Sequence, residues 1–187
     1  MKHEVVRTKT GALAMRSLEA DEVMHPGVGP LVEAEQLYVR QSRLRERLAA
    51  GGLVVFDVGM GAASNALAAR RAAMEAASNS VLGLISFERD LDALTVALGQ
   101  PEAFGLGGEA GEAAHALLST GRHENPRVRW QLRHGDLLQA LAAETCRADI
   151  VFWDPYSPKA NPNLWTMAAF SQIRRVAGPR CTLFTYS

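Results

Sequence analysis

The residues with most chemistry to offer stand where short apolar runs end. Phe152-Trp153 runs into Asp154-Pro155-Tyr156-Ser157-Pro158-Lys159-Ala160-Asn161-Pro162-Asn163-Leu164-Trp165, with three prolines within eight residues. Prolines at that density fix an exposed loop. A carboxylate and a phenol, Asp154 and Tyr156, are held at its mouth, able to orient or deprotonate a nucleophile. Leu53 to Val58 runs into Asp57-Val58-Gly59-Met60-Gly61-Ala62-Ala63-Ser64-Asn65. Two glycines spaced by one residue let the backbone turn sharply and approach a ligand closely. Phe87 is followed by Glu88, a carboxylate able to accept both hydroxyls of a ribose. Gly135-Asp136 closes a third run, and Asp136 would lie near the amino group of an adenine. Each residue also has a plainer reading. The glycines suit close helix–strand packing, Glu88 a solvated strand end, and Asp136 an N-cap, a role it can combine with binding by using its other oxygen.

The elements that must carry these groups follow from apolar patterning. Val5–Thr8 and Ala12–Leu18 flank Lys9-Thr10-Gly11 and read as a β-hairpin. Met24-His25-Pro26-Gly27-Val28-Gly29-Pro30 is a loop. Leu31 to about Leu48 has helical spacing and ends at Gly51-Gly52. Strands are then expected at 53–58, 81–87, 128–132, 150–153 and 181–186. Helices are expected at 62–77, 91–98, 112–119, 137–144 and 164–176. Alternating strand and helix over 53–187, with strands apolar on both faces, predicts a parallel sheet covered by helices on each side. In such a sheet ligands bind beyond the carboxyl ends of the strands, where strand order reverses. Residues 1–50 are read as a hairpin-and-helix extension and 51–187 as the binding core.

The glycine turn discriminates between ligands. A nicotinamide dinucleotide would want a third glycine at position 64, which is Ser64. Acid-x-Gly-x-Gly, with Asp57 two residues before Gly59, is the pattern of enzymes that use S-adenosyl-L-methionine, whose ammonium an acid here helps to hold. The string Asp-x-Phe/Tyr-Ser/Ala-Pro-x-x-Asn-Pro-x-x-Trp resembles the motif of the MnmC methyltransferase domain, which methylates the aminomethyl group of wobble uridine in tRNA. That family's Gly-Phe-Gly-Thr-Gly-Leu-Asn is matched by Gly59, Gly61 and Asn65. Phe87-Glu88 and Gly135-Asp136 also match, and the resemblance covers roughly 53–187.

The resemblance implies a Rossmann-like class I methyltransferase sheet with S-adenosyl-L-methionine as cofactor. Asp57, Gly59, Gly61, Asn65, Glu88 and Asp136 would form the cofactor shell, and Asp154 and Tyr156 would stand at the chemistry. Ala63 replaces the family's third glycine, which predicts an added methyl near the ligand. Family members continue past the fifth strand, so the C-terminal strands are expected to be missing at Ser187. No oxidase domain is expected to follow, which would make this a stand-alone methyltransferase.

Twenty basic residues balance twenty acidic ones, so bulk charge gives no argument for nucleic acid. A tRNA partner would have to use local arginines: Arg40, Arg43, Arg45 and Arg47, or Arg122, Arg127, Arg129 and Arg133, with Lys159 nearest the chemistry. These also suit ordinary solvated faces, and His25 beside Pro26 suits either the lining of a pocket or an ordinary loop histidine. Cys146 and Cys181 have no metal-type spacing, no His/Cys/acid cluster suggests a metal, and no signal peptide or membrane-spanning run is read. A cytoplasmic protein is expected, its oligomeric state open. Two rivals stay in view: an aminopropyltransferase of the spermidine-synthase type, disfavoured because Pro155 to Trp165 holds no acid, and a non-catalytic binding module.

Overall fold

The structure, a computed structural model, describes residues 2–186. The first three strands, β1 (His3–Arg7), β2 (Leu13–Ser17) and β3 (Glu22–Val23), form a small antiparallel sheet in that order. The expected hairpin is its first half, with Val5 opposite Met15 and Gly11 at φ +86° in the turn. β3, only two residues long, carries no periodicity to read.

The expected helix over 31–48 is broken. It divides into α1 (Pro30–Glu33), a π-helical stretch Ala34–Arg40, and α2 (Leu44–Ala50), with Arg43 left-handed at φ +53° between the last two. Tyr38 and Leu44 are both fully buried. At 100° per residue a straight helix would point them about 120° apart. Breaking the helix turns both inward.

The large sheet has the order β6-β7-β5-β4-β8-β9. Its parallel members are β4 (Leu53–Val58), β5 (Leu82–Glu88), β7 (Val128–His134), β8 (Ala148–Trp153) and β9 (Ala177–Thr185). All five expected strands are present. β6 (Arg122–Glu124) adds an antiparallel edge that its charged sequence hides. β9 starts earlier than expected and includes Pro179, tolerated because β9 is an edge strand in the order above.

Alternate side chains of the strands feed two cores, as period two requires. Val55, Leu84, Ile150 and Phe152 join α3 (Ser64–Glu75), α4 (Asp92–Leu98) and α5 (Glu109–Thr120) on one face. Phe56, Val58, Phe87, Val151 and Trp153 join α6 (Leu137–Ala143) and α7 (Met167–Val176) on the other. α3 is alanine-rich because it is enclosed: Ala66, Ala69 and Ala72 are fully buried, and short side chains let neighbours close around it. α7 starts at Met167 rather than 164, since Pro162–Leu164 forms a 3₁₀ turn and Thr166 Oγ1 caps the helix by accepting from the Ala169 N–H. No helix among the described residues is long and apolar enough to cross a membrane.

Candidate active site

β4 pairs with β5 on one side and β8 on the other, so strand order reverses at its carboxyl end. A cavity of about 1040 Å³ opens there, at the upper end of the roughly 300–1,000 Å³ typical of ligand pockets. Gly59, Gly61, Glu88, Asp136, Asp154 and Tyr156 all line it.

The glycine turn is imposed by close approach. Gly59 has φ +80°, and a Cβ there would lie 2.6 Å from the Asp154 carbonyl oxygen. Gly61 has φ +53°, with the Met24 sulfur 3.0 Å from its would-be Cβ. The Gly61 N–H donates to Glu88 Oε2 at 2.9 Å, tying the turn to the end of β5. Glu88 Oε1 accepts from the Arg89 and Asp90 N–H groups at 2.7 and 2.9 Å. Each carboxylate oxygen has two lone pairs, so Oε1 is fully used and Oε2 keeps one for a ribose hydroxyl. Ala63 corrects an expectation. It is left-handed at φ +67° and fully buried in the core, and its methyl does not line the cavity. The residue strains the backbone rather than crowding a ligand.

Asp136 follows Gly135, at φ +135°, and caps α6: its Oδ1 accepts from the Gln139 N–H at 3.0 Å. This is the N-cap role anticipated from sequence, and that bond does not use Oδ2.

Asp57 and Asn65 stand behind the cavity wall rather than on it. Asp57 is completely buried; its Oδ2 accepts from Ser86 Oγ at 2.7 Å, and Ser86 accepts in turn from Trp130 Nε1 at 3.0 Å. Asp57 Oδ1 has no partner. Burial pushes this carboxyl up to about 7, with Asp154 and Glu88 adding to the rise. Asn65 acts through a neighbour, its Nδ2 donating to Asp154 Oδ2 at 2.7 Å.

The loop after β8 is gripped by distant parts of the chain. Ser157 N–H donates to Glu22 Oε2 at 3.1 Å, and Ser157 Oγ donates to Glu22 Oε1. Trp165 Nε1 donates to the Tyr156 carbonyl at 2.9 Å, and the Tyr186 hydroxyl to the Pro155 carbonyl at 3.2 Å. The Tyr156 hydroxyl lies 3.0 Å from His3 Nε2, and His3 Nδ1 lies 3.1 Å from Asp92 Oδ2. Burial pushes the Tyr156 phenol up to about 12, so it is neutral at ordinary pH.

Asp154 is nearly enclosed, its side chain 10% exposed. Burial raises its carboxyl, opposed by His25, Tyr38 and Asn65. His25 Nε2 is 3.5 Å from Asp154 Oδ2, and His25 Nδ1 is 3.4 Å from Glu33 Oε2. Sequence reasoning weighed His25 as a pocket-lining residue against an ordinary loop histidine, and His25 lines the cavity; it passed over His3, Glu22 and Glu33. Of these only His25 carried a signal, being a histidine next to a proline in a Gly/Pro loop. The proposed RNA-facing arginines divide. Arg45 pairs with Glu35 and Glu75, Arg47 reaches Thr182 and the Asp149 carbonyl, Arg127 caps carbonyls at the end of α3, and Arg133 pairs with Glu144. Arg40, Arg43, Arg122 and Arg129 are exposed, and Lys159 lines the cavity.

The cradle suits an adenosyl sulfonium on structural grounds. It has two glycines at positive φ, one of them pressed against the Asp154 carbonyl, a carboxylate at the end of β5 that lines the cavity, and a buried carboxylate oxygen without a partner behind its wall. Among the described residues no group of three or more His, Cys, Asp or Glu is placed to hold a metal ion.

Comparison with known proteins bears on the same region. The family described as S-adenosyl-L-methionine-dependent methyltransferase matches residues 114–187. The tRNA 5-methylaminomethyl-2-thiouridine biosynthesis bifunctional protein MnmC of Paraburkholderia phymatum is 32% identical over 181 residues, covering 89% of this chain and 27% of that protein. MnmC of Chromobacterium violaceum is 30% identical over 172 residues, covering 84% and 26%. The chain thus spans about a quarter of the length of these curated relatives. The crystal structure of MNMC2 from Aquifex aeolicus superposes with a TM-score of 0.79 at 24% identity, covering 99% of this chain and 60% of that one, a likeness of fold.

Proposed function

We propose that this chain, an MnmC-like member of the class I S-adenosyl-L-methionine-dependent methyltransferases, methylates the aminomethyl nitrogen of a modified wobble uridine in tRNA. The observation that carries the reading is geometric: the glycine turn, Glu88 and Asp154 meet at one cavity on the reversal point of the sheet. The named activity of the relatives supplies the choice of acceptor.

S-adenosyl-L-methionine, when bound, supplies an electrophilic methyl group on a sulfonium. Glu88 would accept a ribose hydroxyl on Oε2, and Asp136 would receive the adenine amino group on the oxygen its capping bond leaves unused. The Gly59–Gly61 turn admits the methionine portion close to the backbone, and Asp57 backs that turn with negative or neutral charge according to pH. Asp154 accepts an N–H of the incoming neutral amine and directs its lone pair at the methyl. With the cofactor bound, the amine would take the methyl as the S–C bond gives way, and Asp154 or water would take the proton it then sheds. Alignment of this kind contributes on the order of several kcal/mol to the rate. Tyr156 walls the acceptor site with its ring while its hydroxyl is engaged by His3. In this reading residues 1–50 are an extension that closes the site, 51–187 hold the cofactor, and a tRNA substrate places the protein in the cytoplasm.

Calorimetric titration with S-adenosyl-L-methionine and with its decarboxylated form tests the cofactor, the intact form binding more tightly. Methyl incorporation into tRNA bearing 5-aminomethyluridine tests the acceptor. Preference for the decarboxylated ligand, with aminopropyl transfer to a polyamine, would overturn the reading.

A further inference from the structure

The segment joining β3 to α1 carries a histidine that the scheme above does not use. His25 is held at φ +54°, a left-handed conformation that costs a residue with a side chain about 1–2 kcal/mol. Such strain persists where the surroundings over-determine it. Here the ring is clamped by two carboxylates, with Nδ1 3.4 Å from Glu33 Oε2 and Nε2 3.5 Å from Asp154 Oδ2. Glu33 is itself fixed, because its Oε1 accepts from the Gly27 and Val28 N–H groups at 2.8 and 3.1 Å. Asp154 Oδ2 is therefore faced by His25 and bonded by Asn65, and neither contact falls on Oδ1.

Resting on the methyltransferase reading, we propose that His25 is a positioning residue that holds Asp154 as a carboxylate with Oδ1 presented to the methyl acceptor. The groups facing this centre are Glu33 from α1, Asp57 from β4, Tyr38 from the π-helical stretch, Tyr186 from the segment after β9, and Asp154 itself. In that set only the imidazole can carry positive charge. A buried carboxylate without a counter-ion drifts toward its neutral form. A neutral carboxyl would donate a hydrogen bond to the amine lone pair, blocking the electrons that attack. The imidazolium opposes this. Burial by itself would lower the histidine's pKa, but the Glu33 and Asp154 carboxylates outweigh it, and the ring titrates above its ordinary 6.5. Glu33 is lowered in return, chiefly by its hydrogen bond to His25.

The first test needs no cofactor. In the full chain, NMR titration of the histidine ring signals, with His25 assigned by the signal missing from His25→Gln, should place its midpoint above 6.5. Asp154→Asn should move that midpoint down by roughly one unit. The second test is kinetic, on aminomethyluridine tRNA. His25→Gln should lower kcat about 10- to 100-fold and move the acidic limb of the pH–rate profile to higher pH. The affinity for S-adenosyl-L-methionine should stay within about twofold, well under the tenfold that 1.4 kcal/mol represents. Glu33→Gln, which keeps the ring, should lower the histidine midpoint, and it serves if His25→Gln does not fold. A His25 midpoint at or below 6.5 that ignores Asp154→Asn overturns the proposal. So does an unmoved acidic limb, or a loss of turnover matched by equal loss of cofactor binding. A wild-type chain that leaves the tRNA unmethylated defeats the functional reading instead, and the histidine titration then still decides this one.

Discussion

The two carboxylates that matter most are built in opposite ways. Glu88 is held by its own neighbourhood: the N–H groups of Arg89 and Asp90 and the facing turn at Gly61. Asp136 is likewise occupied three residues along, at Gln139. Asp154 is held from afar, by Asn65 at the start of α3, His25 before α1, and a loop pinned by Glu22 of β3. The proposed adenosine end is thus local architecture at the strand tips. The proposed reactive end is complete only with the N-terminal extension in place. A cofactor common to many reactions needs only the first kind of site, whereas a particular acceptor needs walls from additional elements.

That contrast can be broken by substitution, and the largest effect belongs at the reactive end. Asp154→Asn should cut kcat about 10²- to 10⁴-fold while calorimetry finds nearly unchanged affinity for S-adenosyl-L-methionine. Unaltered turnover would remove Asp154 from the mechanism. At the other end the signature should invert. Glu88→Ala should weaken cofactor binding about 10- to 100-fold, the loss of roughly 1.5–3 kcal/mol from hydrogen bonds to a charged group, with a smaller change in kcat at saturating cofactor. Equal effects of both substitutions on binding would dissolve the distinction between the two regions.

Smaller effects concern the supports. Asp57 is pushed up to about 7 by burial, so the folded state favours its protonated form. Its contribution to stability is complete below the ordinary value of 3.8 and is lost as the pH rises through 7. The wild-type melting temperature should therefore decline toward pH 8. Asp57→Asn should flatten that decline, each 1 kcal/mol amounting to roughly 2–4 °C for a chain of this size. A decline that Asp57→Asn leaves unchanged would assign it to other groups. Smallest of all, Ala63→Gly relieves a left-handed alanine and should stabilise by about 0.5–1 kcal/mol. Because Ala63 does not line the cavity, cofactor affinity should stay as it was; a changed affinity would return Ala63 to the ligand's side of the turn.

The amino-acid string alone determined the parallel sheet, its five principal strands and the acids and glycines at their ends. A strand buried on both faces must be a short apolar run, and a turn that carries Gly59 against the Asp154 carbonyl must use glycine, so both leave marks in linear order. Only the tertiary structure decided the rest. The two-residue β3 and the charged β6 are too short for a pattern, and the break at Arg43 follows from the need to bury Tyr38 and Leu44 together. Asp57 and Asn65 match the binding motif in sequence, yet packing sets them one layer behind the cavity. His25, His3 and Glu22 look like ordinary loop and strand residues until docking of the first sheet brings them against Asp154, Tyr156 and Ser157. Spacing along a chain records the contacts an element makes with itself; contacts made across the molecule leave no such period.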